Sequence, residues 1–449
     1  MNKGKLFQST IVAALAGFIF GFDMVVISGA DKPIQALWHT TPLFHGFFIM
    51  SMALWGTVIG SVFAGAPTEK YGRKKVLIWL GVMFIASAIG TALAQDPYTF
   101  SFFRLIGGIA IGVSSVAAPT YISEISNKNN RGKLVGMYQF NIVFGILIAY
   151  LSNYLLKGIG GENDWRWMLA VLLIPSVIYT LLTTSIPESP RWLLTTKNDE
   201  GAAKKTLEII GVENIDETIE EIKTAATEEK KFGAAKLFIA KHSKIISLAI
   251  FVAFFNQASG INFILYYAPR ILEKAGFASQ QSLLSSISIG LMNLIFTFVG
   301  LWLIDRIGRK TLLIIGSFGY IISLSMVALS FYISASQLFL LTFLLLFIAS
   351  HAIGQGAVIW VLISEIFPNN VRSKGQALGS ATHWIFAALI TLVAPIFIND
   401  KNDGIFNSNP WPIFAFFAVM MVLQLVWILT KVPETKGVSL EELQKKLVQ

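Results

Sequence analysis

Long apolar runs separated by short polar breaks repeat along the chain of 449 residues. A bilayer core of roughly 30 Å needs about 20 apolar residues in one helix, and twelve runs of that length can be laid on the sequence. The first six cover approximately 9–30, 44–67, 76–94, 99–121, 134–156 and 167–186. The second six cover approximately 245–270, 283–304, 311–332, 338–363, 375–398 and 411–430. Lys3 and Lys5 precede a first run too long for the apolar core of a cleavable leader, so that run is expected to stay as a span. Residues 187–244 break the pattern, with 10 basic and 11 acidic side chains and with Ile215, Ile219 and Ile222 at helical spacing. This stretch predicts short amphipathic helices in the cytoplasm. The pattern as a whole predicts an all-α membrane protein of 12 transmembrane helices in two six-helix bundles. Its parts are a first bundle at 1–190, a helical linker at 191–244, a second bundle at 245–432 and a cytoplasmic tail at 433–449.

Composition agrees with lipid as the solvent. Apolar residues make up 54% of the chain and charged residues 14%, where a soluble protein carries about 25% charged. That balance argues against a disordered chain, a nucleic-acid-binding module and an ordinary soluble enzyme. With no cysteine, disulfides, thiolate metal sites and cysteine nucleophiles are excluded. The net charge of +9 reads as an orientation signal. With the N-terminus in the cytoplasm, 28 of the 35 basic residues fall on cytoplasmic segments and six on outer loops: Lys32, Lys157, Arg166, Arg270, Lys274 and Lys401. Both termini are then cytoplasmic. The absence of any Asn-x-Ser/Thr sequon, together with a short first outer loop, favours a bacterial inner membrane.

The chain also repeats itself. Glu69-Lys70-Tyr71-Gly72-Arg73-Lys74 matches Asp305-Arg306-Ile307-Gly308-Arg309-Lys310 at an offset of 236. Ile122-Ser123-Glu124-Ile125 with Arg131 matches Ile363-Ser364-Glu365-Ile366 with Arg372 at an offset of 241, and Pro187-Glu188-Ser189 matches Pro433-Glu434-Thr435 at an offset of 246. Three ordered matches mark a duplicated six-span unit, an architecture of secondary transporters whose substrate site lies near the midplane. Gly56-x3-Gly60 reads as a close helix contact rather than a site.

One basic residue remains for the membrane interior. Arg104 in span 4 and Asp23 in span 1 are the two fully ionisable side chains expected well within the spans, and a lone charge there costs at least about 2.5–3.5 kcal/mol. Counting about 1.5 Å per residue from the outer span ends places both about 8–10 Å deep, which predicts a pair. Two readings follow: a static tie between spans 1 and 4, or a proton-coupling pair in which burial raises and Arg104 lowers the affinity of Asp23 for a proton.

Amide side chains set among apolar and aromatic ones suit a small polyhydroxylated ligand such as a sugar, which takes hydrogen bonds at its rim and aromatic faces against its C–H surfaces. Span 7 supplies Asn256, Gln257, Asn262 and Tyr266; span 8 supplies Asn293, span 10 Trp360, and span 11 His383 and Trp384. From the first half, Phe20 and Gln139 are candidates. For His383, contact with sugar and a hydrogen bond to a neighbouring helix are both open, and His351 is expected to pack. At the cytoplasmic span ends, Glu69, Arg73, Glu124 and Arg131 stand against Asp305, Arg309, Glu365 and Arg372. Orientation by basic residues explains the cations but not the matched acids, so salt bridges between the halves are expected to close the inner side.

These motifs resemble the sugar porter family of the major facilitator superfamily over essentially the whole chain. The resemblance rests on Gly65 to Lys75 and Gly300 to Lys310, Arg104 with Gly107-Gly108, Glu124 with Arg131-Gly132, and Pro187 to Leu193. It also rests on Gln257 with Gly260-Ile261-Asn262 and Tyr266-Tyr267, and on Pro433 to Gly437. By resemblance, Gln139, Gln257, Asn262, Asn293, Trp360 and Trp384 fall on sugar-contacting positions. Proton-coupled members such as the bacterial xylose/proton symporters carry Asp in a Gly-[FY]-Asp segment where facilitative glucose transporters have Asn, and this chain has Gly21-Phe22-Asp23. The resemblance therefore implies monosaccharide/proton symport by alternating access, with the proton as coupling ion and neither metal nor other cofactor. A monomer in the bilayer is expected, with no nucleic-acid partner and no enzymatic activity. Three departures stand out: Asn256 where the family commonly has Gln, His383 where it commonly has an amide before the span 11 Trp, and Glu69-Lys70 in place of Asp-Arg, which is expected to loosen the first half's inner lock. Facilitated diffusion of the same sugar and a non-transporting sugar sensor are the competing readings. An intramembrane enzyme is disfavoured, because no His-Glu-x2-His, Gly-x-Ser-x-Gly or paired-Asp pattern lies in the spans.

Overall fold

A computed structural model of the chain describes residues 3–127, 130–231, 236–368, 370–399, 409–438 and 447. Among the described residues the regular structure is helical, with no β-strand. Eleven helices are long and apolar enough to cross a membrane, and a bent pair raises the number to 12. In chain order, spans 1 to 6 are Gly4–Leu37, the pair Pro42–Met50 with Met52–Phe63 bent by 42°, Arg73–Leu93, Pro97–Ile125, Arg131–Leu156 and Gly161–Thr184. Spans 7 to 12 are Ala240–Lys274, Ser279–Ile307, Arg309–Tyr332, Gln337–Ile366, Arg372–Phe397 and Trp411–Lys431. Large apolar side chains such as Phe63, Leu181 and Val419 face outward, as they must where lipid is the solvent and every backbone group is satisfied inside the helix. The protein is a multi-pass membrane protein.

Local chemistry sets the helix ends. Asp96 caps span 4 by accepting hydrogen bonds from the amides of Tyr98 and Thr99 at 2.9 Å, with Pro97 at the first helical position. These bonds hold the Asp96 carboxyl below the usual carboxylate range, the Thr99 hydroxyl being the largest contributor. Gly72 and Gly308 separate spans 2 from 3 and 8 from 9 with φ of 93° and 104°, a region that favours glycine. Span 7 is interrupted at Gly260, where φ is 84° and a Cβ would lie 2.5 Å from the Phe417 ring. Elsewhere small residues let helices touch: a Cβ on Gly56 or Gly60 would strike the carbonyls of Leu105 or Ile109 in span 4. Gly56-x3-Gly60 is thus a packing seam. The polar insert forms two helices, Glu200–Ile210 and Ile215–Lys231. Their apolar sides bury Ala203, Leu207, Ile210 and Ile219, leaving Ile215 and Ile222 half-buried.

Two compact units emerge, and they follow packing rather than the repeat. The first unit holds residues 1–24, 55–146 and 169–235; the second holds 25–54, 147–168 and 236–449. Segments 25–54 and 147–168 of the first repeat therefore pack inside the second unit. There Tyr150 donates to the Leu265 carbonyl at 2.8 Å, Asn153 donates to the Val26 carbonyl at 3.1 Å, and Gly46 presses against the Leu392 carbonyl.

Candidate functional site

In the first unit, span 1 comes close to span 5 because it carries glycine: a Cβ on Gly21 would collide with the Ile142 backbone, and one on Gly17 with Tyr138. Two residues beyond Gly21, Asp23 meets Arg104 of span 4. The Arg104 Nη1 donates to Asp23 Oδ1 at 2.7 Å, and Nη2 reaches the Asp23 carbonyl at 3.4 Å. Both side chains are almost wholly buried, at 3% and 1% exposure. Coulomb attraction in so dry a setting offsets part of the cost of bringing both charges out of water. Asp23 Oδ2 and Arg104 Nε nevertheless have no hydrogen-bond partner. One carboxylate oxygen is thus paired and the other is open to a proton. Phe20 is buried and Gln139 half-buried in this same unit.

The second unit gathers the amides. At the break in span 7, Asn262 Nδ2 donates to Gln257 Oε1 at 2.9 Å, and Gln257 Nε2 donates to Asn256 Oδ1 at 2.9 Å. The same Nε2 lies 3.2 Å from His383 Nε2 in span 11. The imidazole sits between two indoles, 5.0 Å from the Trp360 ring and 4.7 Å edge-on to that of Trp384. Asn256, Gln257, Asn262, His383, Trp360 and Trp384 therefore form one group, buried except for Trp360, which is 37% exposed. Interrupting the helix at Gly260 frees span 7 from strict periodicity, so that Gln257 and Asn262, five residues apart, turn toward each other. Tyr266 and Asn293 are buried in this unit. His351 bonds instead to the Tyr320 hydroxyl, 2.6 Å from its Nδ1.

At the junctions that follow spans 2 and 8 the duplication reaches individual side chains. In the first unit Glu188 Oε1 accepts from the amides of Arg73 and Lys74 at 3.0 Å, and Glu124 accepts from Arg73 and from Ser189 Oγ. In the second, Glu434 accepts from the amides of Arg309 and Lys310, and Glu365 from Arg309 and Thr435. Gly72 and Gly308 bring those amides against the carboxylates, which lie 2.5 and 2.6 Å from where a Cβ would sit. Bridges between the halves were expected from these residues; the pairs Arg73–Glu124 and Arg309–Glu365 each lie inside one half. Nor is the first lock the looser on this pair. Arg73 grips Glu124 with Nε at 2.8 Å and Nη2 at 2.7 Å, whereas Arg309 holds Glu365 through Nη2 alone at 2.9 Å, its Nε lacking a partner. The bidentate guanidinium belongs to position 73, so Lys70 in place of Arg does not remove it. Asp305 is exposed and pairs with Arg309 at 3.2 Å; Glu69 and Arg131 are exposed, and Arg372 reaches the Phe367 carbonyl at 3.4 Å.

The expectation of only two ionisable groups within the spans needs correction. Span 1 continues to Leu37 and span 7 to Lys274, so Asp31 and Arg270 lie on helices rather than in loops, buried to 1% and 2% together with His45 at 0%. Lys32, also assigned to an outer loop, pairs with Glu273 at 2.6 Å. Hydropathy ended these spans too early because it sees the charge but not the neighbours that cover it. Lys401 falls outside the described residues.

A sequence model of the family described as "Sugar (and other) transporter" matches residues 9–447. The chain belongs to the sugar transporter family. This transporter is 32% identical to the D-xylose-proton symporter of Escherichia coli, over 99% of this chain and 96% of that protein. It is 34% identical to the arabinose-proton symporter of Bacillus subtilis, over 99% and 95%. Among solved structures, the xylose transporter of E. coli in a partially occluded inward-open conformation aligns with a TM-score of 0.85 at 29% identity, covering 97% of the transporter and all of that chain. A major facilitator fold follows, and with it transport rather than enzymatic catalysis.

Proposed function

We propose that the transporter moves a monosaccharide together with a proton by alternating access. The observation that carries this reading is the buried Asp23–Arg104 pair with Asp23 Oδ2 left unpartnered. A proton bound there cancels the charge that holds Arg104, loosens the tie between spans 1 and 4, and must leave before the pair re-forms. The proton is the coupling ion and no other cofactor takes part. The names of the relatives, a D-xylose-proton and an arabinose-proton symporter, support a pentose as substrate.

Asn256, Gln257 and Asn262 offer the sugar a row of donors and acceptors, His383 adds an imidazole in place of an amide, and the indoles of Trp360 and Trp384 supply apolar faces. Phe20, Gln139, Tyr266 and Asn293 are assigned to the same substrate. The clamps built on Glu124 and Glu365, with Glu69, Arg131, Asp305 and Arg372 beside them, hold the inner ends of each half and loosen as that side opens. The working divisions are 1–190 and 245–432 as transport halves, 191–244 as cytoplasmic linker and 433–449 as tail. The concentration of basic residues on the segments assigned to the cytoplasm, 28 of 35, supports both termini in the cytoplasm of a bacterial inner membrane, and a monomer in the bilayer is taken as the working unit. Uptake into vesicles under an imposed pH gradient tests the reading: the parent protein accumulates sugar uphill, and Asp23→Asn only equilibrates it. Uphill uptake by Asp23→Asn rejects the coupling assignment. Counterflow with a panel of labelled sugars identifies the substrate.

A further inference from the structure

Asp31, His45 and Arg270 form a second buried ionic cluster, located in the unit that does not contain Asp23. Asp31 Oδ1 lies 2.8 Å from His45 Nε2, and Arg270 Nη1 spans both carboxylate oxygens at 3.1 and 3.2 Å. The other imidazole nitrogen, Nδ1, is 3.0 Å from the Thr40 hydroxyl, while Arg270 Nε donates to the Ile398 carbonyl at 3.2 Å. His45 opens a π-helical stretch, His45–Met50, a distortion frequent at functional sites. Span 7 adds Tyr267, whose hydroxyl donates to the Thr391 carbonyl, as well as Glu273, paired with Lys32 of span 1, and Lys274, bound to the Asn399 carbonyl. Span 11 contributes backbone carbonyls to these contacts.

Within this cluster one carboxylate and one guanidinium balance. A neutral imidazole completes the bonding, Nε2–H donating to Asp31 and Nδ1 accepting from Thr40; a protonated one would leave a net positive charge out of water. Asp31 and His45 belong to the first repeat and Arg270 to the second. Alternating access separates the repeats at one membrane face at a time, so opening of this face takes Arg270 from Asp31 and leaves His45 with it. Water that enters as this face opens can then deliver a proton to the exposed imidazole, histidine being the side chain suited to proton exchange near neutral pH. We propose that Asp31, His45 and Arg270 are a second proton-binding site, a latch in which Arg270 and a proton on His45 alternate as the counter-charge of Asp31. Opening of this face takes up one proton and closing expels it, so acid on this side favours the open form. The inference rests on the alternating-access reading above and on this face being the outer one.

The chain has no cysteine, so single thiols report directly. Ile27 is fully buried one turn deeper than Asp31 on the same helix face, and Leu37 is 50% exposed. In vesicles, labelling of Ile27→Cys by a membrane-impermeant maleimide, normalised to Leu37→Cys to remove the thiol's own pH dependence, is expected to rise on outside acidification from about pH 8 to about 6. One linked proton sets a ceiling of about tenfold per pH unit. His45→Gln flattens the dependence, Arg270→Gln raises labelling at every pH, and Arg270→Lys restores the latch. Thr40→Val, which removes only the hydroxyl that favours neutral imidazole, shifts the midpoint to higher pH and serves if His45→Gln does not fold. Asp23→Asn loses uphill transport yet keeps the pH response. A parental response in His45→Gln, an unmoved midpoint in Thr40→Val, or loss of the response in Asp23→Asn alone overturns the proposal.

Discussion

The two repeats carry the same framework and different chemistry. At the junctions after spans 2 and 8, Gly72 and Gly308, Glu188 and Glu434, and Glu124 and Glu365 take equivalent places and bind equivalent partners, though Arg73 holds Glu124 through two nitrogens and Arg309 holds Glu365 through one. Inside the spans the likeness ends. The first repeat places an acid and a guanidinium in contact, Asp23 with Arg104, and the second places uncharged amides and an imidazole, centred on Gln257. Charge is expensive in lipid and is retained where a proton must be held; amides are cheaper and suit a neutral, polyhydroxylated ligand. Duplication thus supplied two equivalent scaffolds, and divergence placed the Asp23–Arg104 pair in one and the amide group around Gln257 in the other.

The largest effect should come from the charged side of that contrast. A single coupled proton can drive about tenfold accumulation for each pH unit of gradient, one pH unit being worth about 1.4 kcal/mol. Asp23→Asn is expected to remove all of it while counterflow continues, as measured by uptake with and without a gradient. On the uncharged side, Gln257→Ala leaves Asn256, Asn262 and His383 without their shared partner, and should raise the apparent KM by about 10- to 100-fold on the strength of one or two lost hydrogen bonds. It should leave the number of protons per sugar unchanged. Proton stoichiometry measured on Gln257→Ala would break the division of labour if it changed.

Smaller differences separate the two clamps. Glu124→Gln removes a bidentate, nearly buried pair and should cost about 2–3 kcal/mol, whereas Glu365→Gln, with its single bond and more exposed carboxylate, should cost about 1 kcal/mol. Thermal unfolding in detergent compares them. The smallest effect is a difference of sign with pH. Burial pushes the Glu188 carboxyl up despite the amides of Lys74, Ser189 and Arg73. At Glu434 burial acts in the same direction, but the amides of Lys436, Arg309, Lys310 and Thr435 outweigh it and hold the carboxyl below its ordinary value. Glu434 therefore contributes stability that is present above the ordinary carboxylate range and is lost as pH falls through its lowered value. Glu188 contributes below that range and loses its contribution as pH rises toward its raised value. At neutral pH Glu434→Gln should accordingly lower the melting temperature more than Glu188→Gln, and the order should narrow or invert near pH 4–5.

Span number, the duplicated motifs and the Asp23–Arg104 pairing were legible because each depends on something local or countable: apolar length, offset, depth below a span end. The amide group was legible as a set of residues but not as a network, since Gln257 meets His383 across 126 positions. The Asp31–His45–Arg270 cluster went unseen for a plainer reason. Hydropathy reads an Asp-Lys pair at 31–32 as the end of a span, although the helix continues to Leu37 and an arginine 239 positions away covers the carboxylate. Arg73 and Arg309 were legible as charged residues at equivalent places, yet the acids they meet, Glu124 and Glu365, lie inside the same half.

Amino-acid order alone therefore set the solvent of this protein, its helical class, its internal repeat and the residue types that face inward, because burial in lipid penalises each misplaced polar group one at a time. Only the packed molecule decided which charge neutralises which. Side-chain period tells a residue which face of its own helix it occupies; it carries no record of the neighbour on the other side. The break at Gly260, the π-helical stretch at His45 and the guanidinium of Arg270 acquire their meaning from atoms that the chain brings together from more than a hundred residues away.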